Sequence, residues 1–459
     1  MSGTPSRASR GRAAAALAHV ALALALATLM PGGQATAQVP AVPRTAQPPT
    51  PPPAVKAPQT VPRPPPRAPA ARVLSWLNPA TAPFLPVPEI AVDPDSGSTL
   101  GIIPTWLKTD EHEHIRQMIA PDIIHNTYFG WGAHARIYDY PSADEQWALT
   151  AEAKQRVERG VNAQYQEGRL RDRRWSVNLS VIYDRDGTPR FYGIGNHTPA
   201  GDQTNFTNEQ ELVQGEFGFN LTRAWQLQYT LLARNVDVLR GTLPHIPSTD
   251  ALFPNVRGLH STREVLNRFA IIYDSRDDIV VPTRGVQWVV YGGLASRNGF
   301  LNDSLFSEAG IDGRGFWTIA HNTILAAHTA LRYMPQADHA PFWALSTLGG
   351  GQSVIGGGQP LRGYGAGRFY DRNAFSATVE LRRKVGSVRI ASSRLDLEVA
   401  PFLDVGRVFS RLGAWPTSEL HKVFGVGFRG VARPFVVGYV DIGYGNEGTA
   451  VFTGIGYPF

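Results

Sequence analysis

The chain has 459 residues, of which 43% are hydrophobic and 18% are charged, and it contains no Cys. The lack of Cys excludes disulfide frameworks, thiolate metal sites and cysteine nucleophiles. The formal net charge is +6, but the 39 Arg and 5 Lys are scattered along the chain. A nucleic-acid-binding protein usually gathers its basic residues on one patch, so we expect no nucleic-acid partner.

Residues 1–37 carry features that are typical of a secretory signal peptide. Three Arg within residues 7–12 precede an apolar stretch over 13–30, and the small-residue run Ala35-Thr36-Ala37 follows. The alternative is a membrane anchor, because about 18 apolar residues reach the lower limit for a spanning helix. The stretch is mostly weakly apolar Ala, however, so we expect cleavage before Gln38 and an exported protein.

The next segment is dominated by Pro. Of the 36 Pro in the chain, 13 lie within residues 40–69, whereas 41 of the 46 Gly lie after residue 100. Pro fixes φ and donates no hydrogen bond, so such a stretch cannot build a helix or a sheet. We predict that residues 38–98 are a linker in the periplasm that is mostly disordered. A spacer that crosses the periplasm and plain disorder both remain open.

Beyond this linker, apolar and polar residues alternate with the period of a β-strand. In residues 375–382 the odd positions are apolar and the even positions are polar, which puts an apolar environment on one face and water on the other. The pattern predicts 16 strands: 115–125, 130–140, 146–156, 160–167, 174–184, 209–221, 224–236, 264–274, 285–297, 305–320, 322–334, 374–386, 394–404, 421–433, 435–445 and 449–459.

The connections between these strands alternate between short and long. Residues 221–224 and 431–434 form short turns, whereas 185–208, 237–263, 335–373 and 405–420 form long loops. This asymmetry and an even strand number are typical of outer-membrane barrels. Residues 99–459 are therefore predicted to form an all-β fold, a 16-stranded antiparallel transmembrane β-barrel. The alternative is a soluble two-sheet protein, whose surface would carry more charge than this chain has.

One stretch of the chain carries a specific motif, Leu361-Arg362-Gly363-Tyr364, and related stretches surround it. They are Leu348-Gly349-Gly350, Gly367-Arg368-Phe369, Asp371-Arg372 and Glu380-Leu381-Arg382. Together they resemble the sixth-loop signature of the BamA/TamA family of outer-membrane proteins, also called bacterial surface antigen barrels. Three more stretches resemble that family, a loop motif at 191–196, a turn motif at 273–277 with Pro282 and Gly285, and a strand motif at 402–406.

The family resemblance implies that Arg362 docks onto acidic residues of the strands that follow its loop. Alternation independently places Glu380 and Asp404 on the inner face of those strands. A guanidinium held by carboxylates in a sheltered interior is favourable because its fork of donors fits them. We predict that Arg362 pairs with Asp404, Glu380 or both. The alternative is that Arg362 faces solvent.

The last eight residues resemble the C-terminal recognition signal of outer-membrane proteins, with Gly454, Tyr457 and Phe459 in place. Alternation along the last strand predicts that Tyr457 and Phe459 point outward. Phe452 and Pro458 depart from the usual signal. The resemblance implies recognition of this strand by the assembly machinery.

The resemblance also implies a function at the bacterial outer membrane, surrounded by lipids and lipopolysaccharide. We expect a barrel that assists the insertion or translocation of proteins or lipids, with nascent outer-membrane or secreted proteins as clients. Family members with this activity usually carry periplasmic POTRA domains, and the 77 residues between Gln38 and Ile115 leave little room for them. A passive pore or a structural anchor is therefore the alternative.

Features of an enzyme are weak. There is no Gly-x-Ser-x-Gly elbow and no nucleotide-binding Gly-Lys-Ser/Thr motif, so we expect no enzyme activity, no cofactor and no metal. The segment His112-Glu113-His114 could ligate a metal ion, although alternate residues of a strand often share a face by accident. Three carboxylates in one turn, those of Asp274, Asp277 and Asp278, could bind a cation. Turn capping and pairing with Arg276 explain these residues more simply.

Overall fold

A computed structural model of the chain describes residues 84–109, 115–142, 144–296, 303–350, 358–411, 419–432, 436–455 and 457–459. The signal peptide predicted at 1–37, the Pro-rich linker up to residue 83 and the segment 112–114 lie outside these residues. Within them the chain is all-β, as predicted. No described helix has the length and hydropathy that crossing a membrane requires.

The first half of the described chain consists of strands joined by short turns and two longer loops. The strands are β1 (Phe84–Asp93), β2 (Gly97–Thr109), β3 (Ile115–Ile119), β4 (Asp122–Asn126), β5 (Gly130–Ser142), β6 (Glu145–Lys154), β7 (Arg159–Glu167), β8 (Trp175–Asp186), β9 (Arg190–Phe191), β10 (Thr204–Asn220) and β11 (Trp225–Arg240). A one-turn helix, α1 (Thr249–Leu252), lies in the loop after β11, and a 3₁₀ turn spans Ala200–Asp202.

The second half contains the longest strands. They are β12 (Thr262–Asp274), β13 (Gly285–Ala295), β14 (Leu305–Ala320), β15 (Thr323–His339), β16 (Ser346–Leu348), β17 (Gly358–Gln359), β18 (Phe369–Asp371), β19 (Asn373–Ile390), β20 (Ser393–Phe409), β21 (His421–Ala432), β22 (Val436–Gly445) and β23 (Gly448–Ile455). A 3₁₀ turn spans Phe342–Ala344, and β16, β17 and β18 form a small separate sheet within the long loop before β19.

The remaining strands form one large antiparallel sheet in which each pairs with its neighbours along the chain. The two segments β3 and β4 share one position between β2 and β5, interrupted at Ala120 and Pro121. The four long connections predicted from the sequence, after β8, β11, β15 and β20, all leave the sheet at one end. We call this the long-loop end and the opposite end the short-turn end.

Each of the 16 predicted strands coincides in large part with a strand of the structure, but the sheet begins earlier than residue 99. The hairpin β1–β2 precedes the first predicted strand, with Phe84 opposite Trp106 and Asp93 opposite Gly97. Strand β1 lies within residues 38–98, which were predicted to be a mostly disordered linker, and it contains Pro86 and Pro88. Among the described residues β1 forms a ladder with β2 alone, and Pro is tolerated in a strand whose other edge makes no ladder bonds.

The two faces of the sheet have opposite chemistry. In β19 the side chains of Glu380 and Arg382 are buried on the inner face, whereas Val379 is 48% exposed on the outer face. The outer face carries many exposed large apolar and aromatic side chains, including Leu100, Ile123, Trp131, Trp147, Trp175, Val213, Phe269, Val290 and Phe424. A polar interior behind an apolar exterior is the arrangement expected of strands that face lipid.

The sheet curls so that its first and last strands approach each other. The backbone N of Val92 in β1 donates a hydrogen bond to Thr453 Oγ1 in β23 at 3.1 Å. At the long-loop end, the β1–β2 turn also reaches the loop before β19, where Ala366 N donates to the Asp95 carboxylate. The fold is therefore barrel-like, and its inner face encloses that loop.

The C-terminus departs from the sequence prediction. Strand β23 ends at Ile455, and Tyr457 and Phe459 turn to the inner face instead of continuing outward, so the predicted orientation of both side chains is wrong. Pro458 has no N–H with which to extend the ladder. The hydroxyl of Tyr457 instead donates a hydrogen bond to Glu398 Oε2, on the inner face, at 3.0 Å. Gly454 does lie in β23, opposite Tyr439.

Candidate functional site

The segment around Leu361-Arg362-Gly363-Tyr364 lies against the inner face of the C-terminal strands. Leu361 and Tyr364 pack in an apolar cluster with side chains of the barrel wall, including Phe402 and Val423. Close approach of the backbone requires glycine in the wall: a Cβ at Gly443 would lie only 1.9 Å from the carbonyl oxygen of Arg362. Glycine therefore lets the loop lie directly on β22.

Arg362 contacts both acidic residues predicted as its partners. Its Nε and Nη2 donate to Asp404 Oδ2 and Oδ1 at 3.0 and 2.8 Å, and its backbone N donates to Oδ2 at 3.0 Å. Its Nη1 donates to Glu380 Oε2 at 2.8 Å. The guanidinium also stacks on Phe402, 3.5 Å from the ring centroid. Bidentate pairing with Asp404 fixes the plane of the guanidinium as well as its position.

A third acidic partner, Asp441, and two further arginines, which were not predicted, complete the surroundings of Arg362. Arg362 Nη1 donates to Asp441 Oδ2 at 3.0 Å. Arg429 bonds both Asp441 and Glu380, and Arg382 Nε donates to Glu380 Oε1 at 2.8 Å. We call these six residues the Arg362 cluster: Arg362, Arg382, Arg429, Glu380, Asp404 and Asp441. Alternation in the predicted strands 421–433 and 435–445 could have placed Arg429 and Asp441 on the inner face.

The Arg362 cluster is balanced in charge and excluded from solvent. Three guanidinium groups face three carboxylates, and all six side chains are buried. Removing one partner from such a cluster leaves an uncompensated buried charge, which typically costs about 3–5 kcal/mol. The cluster therefore holds the loop in one position on the inner face, because displacement of Arg362 would leave three buried carboxylates facing only two arginines.

A second set of contacts fixes the part of the loop that follows. Arg368 bonds both carboxylate oxygens of Glu447 at 2.6–3.0 Å, and its Nη2 donates to the carbonyl of Thr198 at 2.7 Å. The same guanidinium lies 4.2 Å from the ring centroid of Tyr192. The predicted loop motif at 191–196 thus contacts the loop that carries Arg362.

Other residues of the motif at 191–196 also form contacts at the long-loop end. Gly195 N donates to Tyr370 O at 2.7 Å, and Val408 N donates to Asn196 Oδ1 at 3.0 Å. Phe191 is fully buried in an aromatic cluster with Phe206, Phe342 and Tyr370. These contacts join the long connections after β8 and β15 to each other and to strands β10 and β20.

The turn after β12 uses its acidic residues as caps. Asp274 accepts bonds from the backbone N, Nε and Nη2 of Arg276. Asp277 accepts from Thr283 N and Arg284 N, and Asp278 accepts from the backbone N of residues 280 and 281. Turn capping and the Arg276 pair therefore account for the three carboxylates that the sequence left open as a cation site.

Another charged group, which the sequence analysis did not identify, lies on the inner face of the N-terminal strands. Among the described residues, Glu89, Asp122 and His134 each place one ligand-type atom within 4.8 Å of the others. His134 Nδ1 lies 2.7 Å from Asp122 and Nε2 lies 2.7 Å from Glu152, while Arg136 also bonds Asp122. Both ring nitrogens of His134 are thus engaged by protein groups. We call these five residues the Asp122 cluster.

Asp95, in the β1–β2 turn, has a perturbed pKa. Burial raises the pKa of its carboxyl to about 7, and the charge of Asp93 adds to the rise, against the opposing effects of Arg190 and the Ala366 N–H. Arg190 Nη2 also donates to the backbone carbonyl of Asp95 at 2.8 Å. We therefore expect the contact between the first hairpin and the loop to depend on pH.

One family model matches the greater part of the chain. Residues 145–429 match the model of the Omp85 superfamily domain. Among solved structures, BamA from Haemophilus ducreyi lacking POTRA domains 1–3 is 12% identical with a TM-score of 0.49, and the alignment covers 84% of this chain and 78% of that chain. CdiB from Escherichia coli is 10% identical with a TM-score of 0.42, and the alignment covers 81% of this chain and 62% of that chain. No curated protein sequence matches the chain.

Proposed function

We propose that this chain, which belongs to the Omp85 superfamily and is similar to its BamA/TamA members, assists the insertion or translocation of proteins or lipids at the bacterial outer membrane. Membership of the superfamily supports an outer-membrane β-barrel related to insertion and secretion transporters. The clients in this proposal are nascent outer-membrane or secreted proteins.

In this proposal the curled sheet closes into a barrel through β1 and β23, with its outer face in contact with lipid and lipopolysaccharide. The hydrogen bond from the backbone N of Val92 to Thr453 Oγ1 supports closure between these two strands. The exposed apolar outer face supports insertion in a membrane. A secretory signal at 1–37 delivers the chain to the periplasm, and the Pro-rich segment stays there.

The observation that carries the proposal is the docking of Arg362. A loop held inside the sheet by two bonded acids on separate strands, and by a third on β22, is a specific device that a simple anchor does not need. It occupies the inner face beside the last strands. Such a loop fits a barrel whose interior takes part in handling a client.

The test is depletion of the protein followed by quantification of the outer-membrane proteome and lipids. We expect the loss of specific outer-membrane proteins, with rescue by the wild-type chain and by Arg372→Ala, whose side chain is partly exposed in a pair with Asp338. Arg362→Ala should fail to rescue at equal amounts of protein in the membrane. An unchanged proteome and lipid content, with steady conductance of the purified protein in a planar bilayer, would overturn the proposal in favour of a passive pore.

A further inference from the structure

Residues 457–459 do not continue strand β23. The side chains of Tyr457 and Phe459 pack inside the curled sheet. Phe459 packs with Phe316 of β14 and Ala326 of β15, and its ring stacks on His328 with 5.4 Å between centroids. Tyr457 packs near Val281, Val431 and Val437, which flank turns of the short-turn end. The tail therefore runs from β23 across the interior to strands that are not its neighbours.

The guanidinium of Arg382 contacts both aromatic rings of residues 457–459. Its guanidinium lies 3.8 Å from the ring centroid of Tyr457, 5.1 Å from that of Phe459 and 5.4 Å from that of Phe316. Its Nη1 and Nη2 are buried and have no hydrogen-bond partner among the described residues. A cation that is removed from water is stabilised by the faces of aromatic rings. The rings of Phe316, Tyr457 and Phe459 therefore stabilise the Arg382 guanidinium where Nη1 and Nη2 form no hydrogen bonds with the described residues.

The same arginine belongs to the Arg362 cluster. Arg382 Nε donates to Glu380 Oε1, and Glu380 Oε2 accepts from Arg362 Nη1, each at 2.8 Å. One carboxylate thus joins the guanidinium that holds the loop to the guanidinium that holds the tail. The interior is occupied from both ends by two segments that share one charged cluster.

We propose that residues 457–459 form an internal latch, clamped by Arg382, that closes the short-turn end of the barrel interior. The latch narrows this end because Tyr457 and Phe459 span the inner face from β23 to β14 and β15. Its position does not depend on whether the barrel assists insertion or acts as a pore, so its failure and that of the proposed function are distinguishable.

Cysteine cross-linking in the full chain locates the tail, because the natural sequence has no Cys. The pair Ala326→Cys with Phe459→Cys should form a disulfide on mild oxidation of the protein in its membrane. Ala327→Cys with Phe459→Cys is the matched control, since Ala327 is the next residue of β15 and points to the outer face. Cross-linking of the control pair but not of the Ala326 pair would place the tail outside and overturn the latch.

Conductance in a planar bilayer tests closure. Phe316→Ala removes one of the rings beside Arg382 and leaves residues 457–459 unchanged. We expect a several-fold higher conductance from Phe316→Ala than from the wild-type chain, and a return to the low value when the Ala326–Phe459 cysteine pair is oxidised. Equal conductance of all these forms, or no change on oxidation of a cross-linked pair, would overturn the proposal.

Discussion

Two clusters of charged residues lie on the inner face of the same sheet, yet they differ in burial and balance. The Arg362 cluster joins a loop to four C-terminal strands, and its ion-paired side chains are 0–1% exposed. The Asp122 cluster joins neighbouring N-terminal strands, and the side chain of Glu152 is 35% exposed and that of Arg136 is 25% exposed. The first holds three arginines against three acids, whereas the second holds three acids against one arginine and one histidine.

This difference in burial indicates which ion pairs contribute most to the stability of the fold. A buried pair that loses one partner leaves a charge without solvation, which is costly. A partly exposed pair that loses one partner is solvated by water, which limits the cost. We therefore expect the protein to be sensitive to substitutions around Arg362 and tolerant of those around His134.

The largest effect is expected for Arg362→Ala, which leaves Glu380, Asp404 and Asp441 with two arginines. Destabilisation of about 3–5 kcal/mol is expected because a buried charge becomes uncompensated. The measurement is the denaturant midpoint of the folded barrel, followed by its heat-modified mobility in gel electrophoresis. Arg372→Ala is the control, with an expected change of about 0–1 kcal/mol. Equal midpoints for the two variants would contradict the special weight of the Arg362 cluster.

A smaller effect is expected for Asp441→Asn, which keeps the shape of the side chain. The substitution removes one negative charge facing Arg362 and Arg429, while Asp404 and Glu380 still hold these guanidiniums. We expect a loss of about 2–3 kcal/mol, since hydrogen bonds to charged groups contribute about 1.5–3 kcal/mol. The double variant Arg362→Ala with Asp441→Asn should lose less than the sum of the two single changes. Additive losses would show that the two residues act independently.

Asp95→Asn tests the contact between the first hairpin and the loop through pH. The folded pKa of Asp95 is raised from its ordinary 3.8 to about 7, so the folded protein favours the protonated form. Its contribution to stability is complete below pH 4 and is lost as pH rises to about 7, by at most about 1.4 kcal/mol per pH unit. Wild-type unfolding free energies should fall across this range, and those of Asp95→Asn should fall less. The same slope for both would exclude Asp95 as the source.

The smallest effect is expected for His134→Ala in the Asp122 cluster. Asp122 keeps its bond to Arg136, and Glu152 is partly exposed to water, so we expect a loss of about 1 kcal/mol or less. The measurement is the same denaturant midpoint, compared directly with Arg362→Ala. A loss as large as that of Arg362→Ala would remove the contrast between the two clusters.

Much of the site was accessible from the sequence because its parts are short-range patterns. The motif around Arg362 marks the loop, and alternation puts Glu380 and Asp404 on one face of their strands. Asp441 was missed because it lies 79 residues from Arg362. Its strand β22 is separated from β20 by β21, and only the docked loop brings Asp441 and Asp404 to the same guanidinium. The Asp122 cluster was missed for a related reason, since its five members are spread over β1, β4, β5 and β6 and form no motif.

The sequence by itself determined the strands, their alternating faces and the docking residue of the loop, because side-chain period and turn composition are local properties. The tertiary structure alone decided three features: the first hairpin despite Pro86 and Pro88, the third acid of the Arg362 cluster, and the inward turn of Tyr457 and Phe459. Each of these depends on what lies opposite in space. Among the described residues, an edge that forms no further ladder accepts proline. A strand of the same sheet supplies the third acid, and a buried arginine contacts the two rings.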